Sequence, residues 1–227
     1  MQPKSVFFER LLLLPLFQGI GKTEFWEIAE RIRIGFQKLS REALIVEQDT
    51  PCDVLHFILS GNICVRQTSN EHTYILYEYF DQPMVIQPEA LFGLRTRYTR
   101  TFSTTSSTEL LKVEKAAVRD ILFYYPTFRI NYLNMVSTQM QQASLLLWRA
   151  TPNHLNNRFV RFLINRSLRP AGHKVLKIKM EQLAWELNET RLNVSRMLHD
   201  LQDKKLVEMR RGNIVIPSFE ALIQNYG

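Results

Sequence analysis

At 227 residues the chain could form one large domain or two modest ones, and with 45% hydrophobic and 22% charged residues it has the composition of a soluble globular protein. Its formal charge of +7 is uneven: residues 151–227 hold 13 Lys+Arg against 7 Asp+Glu, whereas residues 1–150 hold 16 against 15. The basic C-terminal third suggests a nucleic-acid partner. Two cysteines without Cys/His metal spacing, no apolar run of 18 residues and no signal-peptide pattern after Leu11–Leu14 argue against a metal module and a membrane partner, and lead us to expect a reduced, cytoplasmic protein.

In chain order, residues 7–33 read as helical, with Phe8, Leu11 and Leu12 ahead of Pro15-Leu16-Phe17 and a second apolar stripe of Phe25, Ile28, Ala29 and Ile32. Gly21-Lys22-Thr23 resembles the end of a phosphate loop, but that motif needs a glycine where Leu16 stands. Thr23 is expected to cap a helix instead. Residues 35–113 are β-rich. Short runs at Ala43–Glu47, Val54–Leu59, Asn62–Gln67, Thr73–Tyr79, Met84–Ile86 and Glu109–Val113 alternate with turn signals, among them Ser60-Gly61-Asn62, and suggest an antiparallel β-roll. Residues 115–124 read as a short helix, and Pro126 starts a long one. Leu133, Val136, Met140, Ala143 and Leu147 repeat at alternating spacings of three and four, the pattern of a homodimer seam; the rival reading packs this helix on its own β-roll. Thr151-Pro152-Asn153 is a hinge, 154–168 a helix, and Pro170-Ala171-Gly172 a break.

The stretch Lys179–Val207 carries the most information. Met180, Leu183, Ala184 and Leu187 give one helix an apolar face, and Val194, Met197, Leu198 and Leu201 give a second helix another. Asn188 between them tolerates the left-handed turn, Thr190 is placed to cap the second helix, and the layout is a helix-turn-helix. The polar face of the second helix, Thr190, Arg191, Asn193, Ser195 and Arg196, can address phosphates and base edges. Leu206–Met209 and Ile214–Ile216 flank a basic tip, Arg210-Arg211-Gly212-Asn213, which reads as a wing. We see no nucleophile–base pair and expect no catalysis. The expected fold is α+β: a β-roll (residues 1–125), a long dimerisation helix (126–150) and a winged helix (151–227).

This order of elements resembles the Crp/Fnr family of bacterial transcription regulators over nearly the whole chain, most clearly at Leu14–Phe17, Gln48–Val65 and the helix-turn-helix. The resemblance implies a homodimer that senses a small molecule in a cyclic-nucleotide-binding-like β-roll (a double-stranded β-helix), binds a palindromic promoter site on double-stranded DNA and works with RNA polymerase. It places Arg191, Asn193 and Arg196 at the contacting positions of the recognition helix. Leu192 stands where the family often has an acidic residue that reads cytosine, which implies a different operator. The sensor departs further. Cyclic-nucleotide-binding relatives carry a Gly-Glu pair and an Arg-Ser/Thr-Ala cassette, whereas residues 87–108 here read QPEALFGLRTRYTRTFSTTSST. Pro88 replaces the glycine before Glu89, and neither Arg97 nor Arg100 is followed by Ser/Thr-Ala, since Phe102 follows Thr101. Glu89, Arg97, Arg100 and Thr101, with Arg95 beside them, are the candidate ligand residues of a degenerate sensor, for which a cyclic nucleotide is not the expected effector. Two cysteines cannot hold the four-thiolate iron–sulfur cluster of some relatives, and the histidines show no spacing that decides about haem. The alternative is a small-molecule carrier or regulatory module without sequence-specific DNA binding.

Overall fold

The computed structural model describes residues 9–32 and 35–227, so Phe8 and the end of the first expected helical stretch lie outside the described residues. The chain divides into two units, residues 1–63 with 81–147 and residues 64–80 with 148–227.

In the first unit the N-terminal stretch is broken rather than continuous. Pro15–Phe17 forms one 3-10 turn, Gly19 takes φ +81°, and α1 spans Lys22–Arg31. Gly21, not Thr23, occupies the cap position of α1, without a side-chain cap, because the helix already begins at Lys22 and Thr23 lies inside its first turn. Strands β1 (Gly35–Leu39), β2 (Leu44–Val46), β3 (Val54–Ser60), β6 (Met84–Ile86), β7 (Thr101–Thr104) and β8 (Thr108–Glu114) build the β-roll. One sheet has the order β1-β8-β3-β6, and β2 pairs with β7; every pairing within the unit is antiparallel. Gly61 makes the predicted turn after β3 at φ +97°, and a Cβ there would lie 2.5 Å from the Ser107 carbonyl. Only glycine fits. Leu55, Phe57, Leu110, Leu111 and Val113 are buried, and Phe17, Phe25, Phe57 and Phe128 stack edge-on or tilted in the core, each worth roughly 1.5–3 kcal/mol in removed apolar surface.

His56 on β3 is buried, faces Lys112 across the β3–β8 ladder, and lies 3.4 Å through Nδ1 from the Tyr98 hydroxyl, which donates to the Val54 carbonyl. Burial, followed by the Lys112 charge, pushes its pKa down to about 4. The unfolded chain therefore binds a proton that the folded one refuses. The associated stability is complete above pH 6.5 and lost as pH falls to about 4, a span on the order of 3 kcal/mol. His56→Met is expected to melt with a shallower acid dependence between pH 6.5 and 4 than the wild type; equal slopes would contradict the assignment.

Between the β-roll and the long helix come α2 (Lys115–Asp120) and a 3-10 turn at Leu122–Tyr124; α3 then runs from Pro126 to Trp148. Phe128 and Tyr132 are buried at its start. The expected seam is not covered by the β-roll: Leu133 is 54%, Met140 75% and Leu147 84% exposed.

In the second unit the strands follow the order β10-β11-β9-β5-β4, with β4 (Ile63–Thr68), β5 (Tyr74–Phe80), β9 (Lys174–Ile178), β10 (Glu208–Arg210) and β11 (Asn213–Ile216), and β10 with β11, β11 with β9 and β9 with β5 pair antiparallel. The register of β5 on β9 runs from Tyr74 opposite Ile178 to Glu78 opposite Lys174. Around this sheet pack α4 (Leu155–Ile164), α5 (Met180–Glu186), α6 (Arg191–Asp203) and α7 (Phe219–Tyr226). Helix α4 stops four residues short of the expected 168, and just past its end Ser167 donates both its hydroxyl and its N–H to the Leu163 carbonyl. Phe159, Leu163, Leu176, Leu183, Val194, Leu198 and Phe219 form the core beneath the helix-turn-helix.

Candidate nucleic-acid interface

Helices α5 and α6 are joined by Leu187 to Thr190, and Asn188 adopts φ +47°, the left-handed turn expected of it. The Thr190 Oγ1 accepts from the Asn193 N–H at 3.2 Å and fixes where α6 starts. Glu189 strengthens the corner: its carboxylate accepts from the Thr190 N–H and the Asn193 Nδ2, both at 3.0 Å, and pairs with Arg158 at 2.9 Å. These hydrogen bonds, the one from Asn193 first, hold its carboxyl below the usual carboxylate range.

At 3.6 residues per turn, Val194, Met197, Leu198 and Leu201 cover one side of α6, and all are buried. The opposite side carries Leu192, Arg196, His199 and Asp203, all exposed. Arg191 and Ser195 lie on one flank and Asn193 on the other. Among the expected contacting residues, then, Arg196 stands at the centre of the outward face and has no hydrogen-bond or ion-pair partner among the described residues. Arg191 is exposed at the helix start, 3.5 Å from Glu181. The amide of Asn193 is already engaged by Glu189. Leu192, which stands where relatives often carry an acidic residue, lies on this outward face, and so does His199, which the sequence reading did not single out. The His199 Nδ1 lies 2.7 Å from the Ser195 carbonyl, which can only accept, so Nδ1 donates and Nε2 is the acceptor of the neutral ring.

The wing is present, with Arg210 ending β10, Arg211 in the turn and Gly212 at φ +73°. Arg210 and Arg211 are exposed, and Arg210 pairs with Glu208 at 2.9 Å, an exposed contact of little energetic weight. A cleft of about 620 Å³ between wing, sheet and helix-turn-helix brings Arg191 and Arg210 together with Lys177 and Lys179. The two lysines gather on this basic face because β9, which local pattern did not reveal, runs directly into the helix-turn-helix. Replacing Arg210 and Arg211 by Ala is expected to weaken binding to all duplexes alike and to lower the salt slope by about 0.9 per lost phosphate contact. A changed base preference at constant slope would show that the tip reads bases instead.

The candidate ligand residues of the β-roll are not gathered around an open site. Glu89 is exposed on a 3-10 turn (Pro88–Ala90), Arg97 is exposed and donates to the Asp49 carbonyl, and Arg95 lies 3.7 Å from the Asp49 carboxylate. Arg100 is half-buried, and Thr101 is buried on β7, its Oγ1 accepting from the Gln48 N–H at 3.0 Å. The centre of this region is taken by a residue the sequence did not single out. Gln87 is buried at φ +39°, and its Oε1 accepts from the consecutive N–H groups of Thr99 and Arg100 at 3.1 and 3.2 Å. Its Nε2 donates to the Thr99 Oγ1. A side-chain carbonyl thus satisfies two adjacent backbone donors of the kind an anion would otherwise attract.

Among the described residues no group of three or more His, Cys, Asp or Glu side chains could hold a metal ion, and no helix is long and apolar enough to cross a membrane. Comparison with known proteins agrees with this geometry. Residues 36–125 match the family described as cyclic nucleotide-binding domain, and residues 157–224 match the Crp-like helix-turn-helix domain. No curated sequence matches significantly. The catabolite activator protein of Thermus thermophilus is similar in structure, at TM-score 0.53 and 18% identity over 93% of this chain and 97% of that one. A Crp/Fnr-family regulator of Eubacterium rectale reaches 0.52 and 20% over 92% and 96%. The sensor domain of the regulator DNR from Pseudomonas aeruginosa reaches 0.52 and 17% over 63% and 93%. At these identities the likeness shows the fold; the two family matches, one to the β-roll and one to the helix-turn-helix, show the rest. The chain belongs to the Crp/Fnr family and is a DNA-binding transcription regulator.

Proposed function

We propose that the protein works in the cytoplasm as a homodimer on a palindromic promoter site, acts on transcription together with RNA polymerase, and does so without a cyclic nucleotide. In this reading the expected sensor-like domain of residues 1–125 keeps 1–63 and 81–125, 126–150 is the dimer helix, and 151–227 is the DNA-reading domain, which takes the 64–80 hairpin. Thr190, Arg191, Asn193, Ser195, Arg196, Arg210 and Arg211 face the duplex, Asn193 mainly by holding the corner of the helix-turn-helix. The observation that carries the proposal is the uncovered apolar ridge of α3, where Leu133, Met140 and Leu147 are more than half exposed on a helix that has no other use for them. A parallel partner would bury this ridge and set two copies of α6 on one face of DNA.

Ligand independence is supported by Gln87, which already meets the two backbone donors beside Arg97, Arg100 and Glu89. A titration tests it. Cyclic AMP or cyclic GMP at millimolar concentration is expected to leave melting temperature and DNA affinity unchanged, and light scattering to give two chains per particle. A ligand at 100 times its dissociation constant would add about 2.7 kcal/mol, so a clear rise in melting temperature would overturn this part of the reading.

A further inference from the structure

Helix α6 presents an apolar side chain where base specificity is decided, and we propose that Leu192 reads a thymine methyl group in each half-site, next to the base pair addressed by Arg196. This rests on the assignment of α6 as the DNA-reading helix. Leu192 is 59% exposed while Val194, Met197, Leu198 and Leu201 of the same helix are buried, so it takes no part in the core. One turn before Arg196, it stands on the ridge opposite that core, in the first turn, which Thr190 holds open as a helix start.

The chemistry then selects the base. Leucine has no donor or acceptor, so it cannot discriminate by hydrogen bonding. In the major groove, thymine alone offers a methyl group, at C5; guanine, cytosine and adenine present polar edges there that leucine would desolvate without compensation. Four residues of helix rise about 6 Å, which keeps the contacts of Leu192 and Arg196 within about two base pairs of each other. Asn193, the other candidate reader in this turn, has its amide held by Glu189.

The test uses the full-length protein and its selected operator, with each thymine replaced in turn by deoxyuridine, a change that removes only the methyl group. At one thymine per half-site the replacement is expected to weaken wild-type binding roughly fourfold, the worth of about one buried methyl group, and to leave Leu192→Ala unaffected. Leu192→Glu, whose carboxylate accepts from cytosine N4, is expected to exchange thymine for cytosine at that position. Equal losses for wild type and Leu192→Ala at every thymine overturn the proposal and leave α6 as the reader. So does a selected operator with no thymine within two pairs of the guanine assigned to Arg196. If the wild type selects no sequence at all, the reader assignment fails, and this proposal with it.

Discussion

Lys174→Met is expected to destabilise the unit that carries the DNA-reading helix by about 3–5 kcal/mol, the cost of leaving one member of a buried ion pair without its partner. Lys174 and Glu78 face each other on β9 and β5, with Nζ 2.5 Å from Oε2 and side chains 1% and 2% exposed. The other Glu78 oxygen accepts from the Leu168 N–H at 2.7 Å, and the ammonium lies 5.1 Å from the Phe219 ring centroid. Burial lowers the Lys174 pKa from its usual 10.5, and the pull of Glu78 opposes that shift. In Glu78→Gln the opposition is gone, so the unfolded chain holds the lysine proton more tightly than the folded one. The cost of that variant should therefore shrink as pH rises towards 10.5. The double variant Glu78→Gln/Lys174→Met should recover much of the loss, because no isolated charge remains. Chemical denaturation of the three variants measures this cycle. Single-variant losses below about 1 kcal/mol would mean that the pair is not closed off from water.

The second large effect concerns assembly. Leu133→Asp with Met140→Asp puts carboxylates on the exposed ridge of α3, where a partner helix would have to desolvate them at a cost of several kcal/mol. Because both positions face solvent in the single chain, the monomer should fold with its melting temperature little changed. Light scattering should report one chain per particle, and operator affinity should fall steeply, since each half-site would then be bound alone. A stable dimer in the double variant would place the assembly surface elsewhere.

The helix-turn-helix was legible because its determinants are local: apolar residues at helical spacing, Asn188 for a left-handed turn, Thr190 for a cap. The missed elements depend on distant partners. The pattern Lys-Val-Leu-Lys-Ile at 174–178 does not alternate cleanly, the hairpin it joins lies about a hundred residues earlier, and Lys174 is buried only because Glu78 is there. Strands β1 and β7 escaped for a similar reason. Thr101 to Thr104 were read as part of a ligand cassette, whereas the buried hydroxyls of Thr101 and Thr104 accept from the N–H groups of Gln48 and Ala43. Gln87 could not have been singled out, since nothing in Gln-Pro-Glu announces a side chain turned in upon two backbone donors. Thr23 failed as a cap because a suitable residue type does not by itself fix where a helix starts. Leu192 was recognised only as a missing hydrogen-bond acceptor, although the periodicity of Val194, Met197, Leu198 and Leu201 already placed its apolar side chain on the far side from the core.

The central claim is that α6 of a symmetric dimer reads DNA sequence, and in vitro selection of binding sites by the wild type and by Arg196→Ala tests it most directly. Arg196 is the one arginine at the centre of the outward face of α6, where its guanidinium can pair bidentately with a guanine. The wild type is predicted to select an inverted repeat with half-site centres about 10 base pairs apart. Arg196→Ala is predicted to lose preference at one base pair in each half-site, at a cost of about 1–3 kcal/mol per contact. A selection that recovers no inverted repeat, or a variant whose preferences match the wild type at every position, would contradict the account.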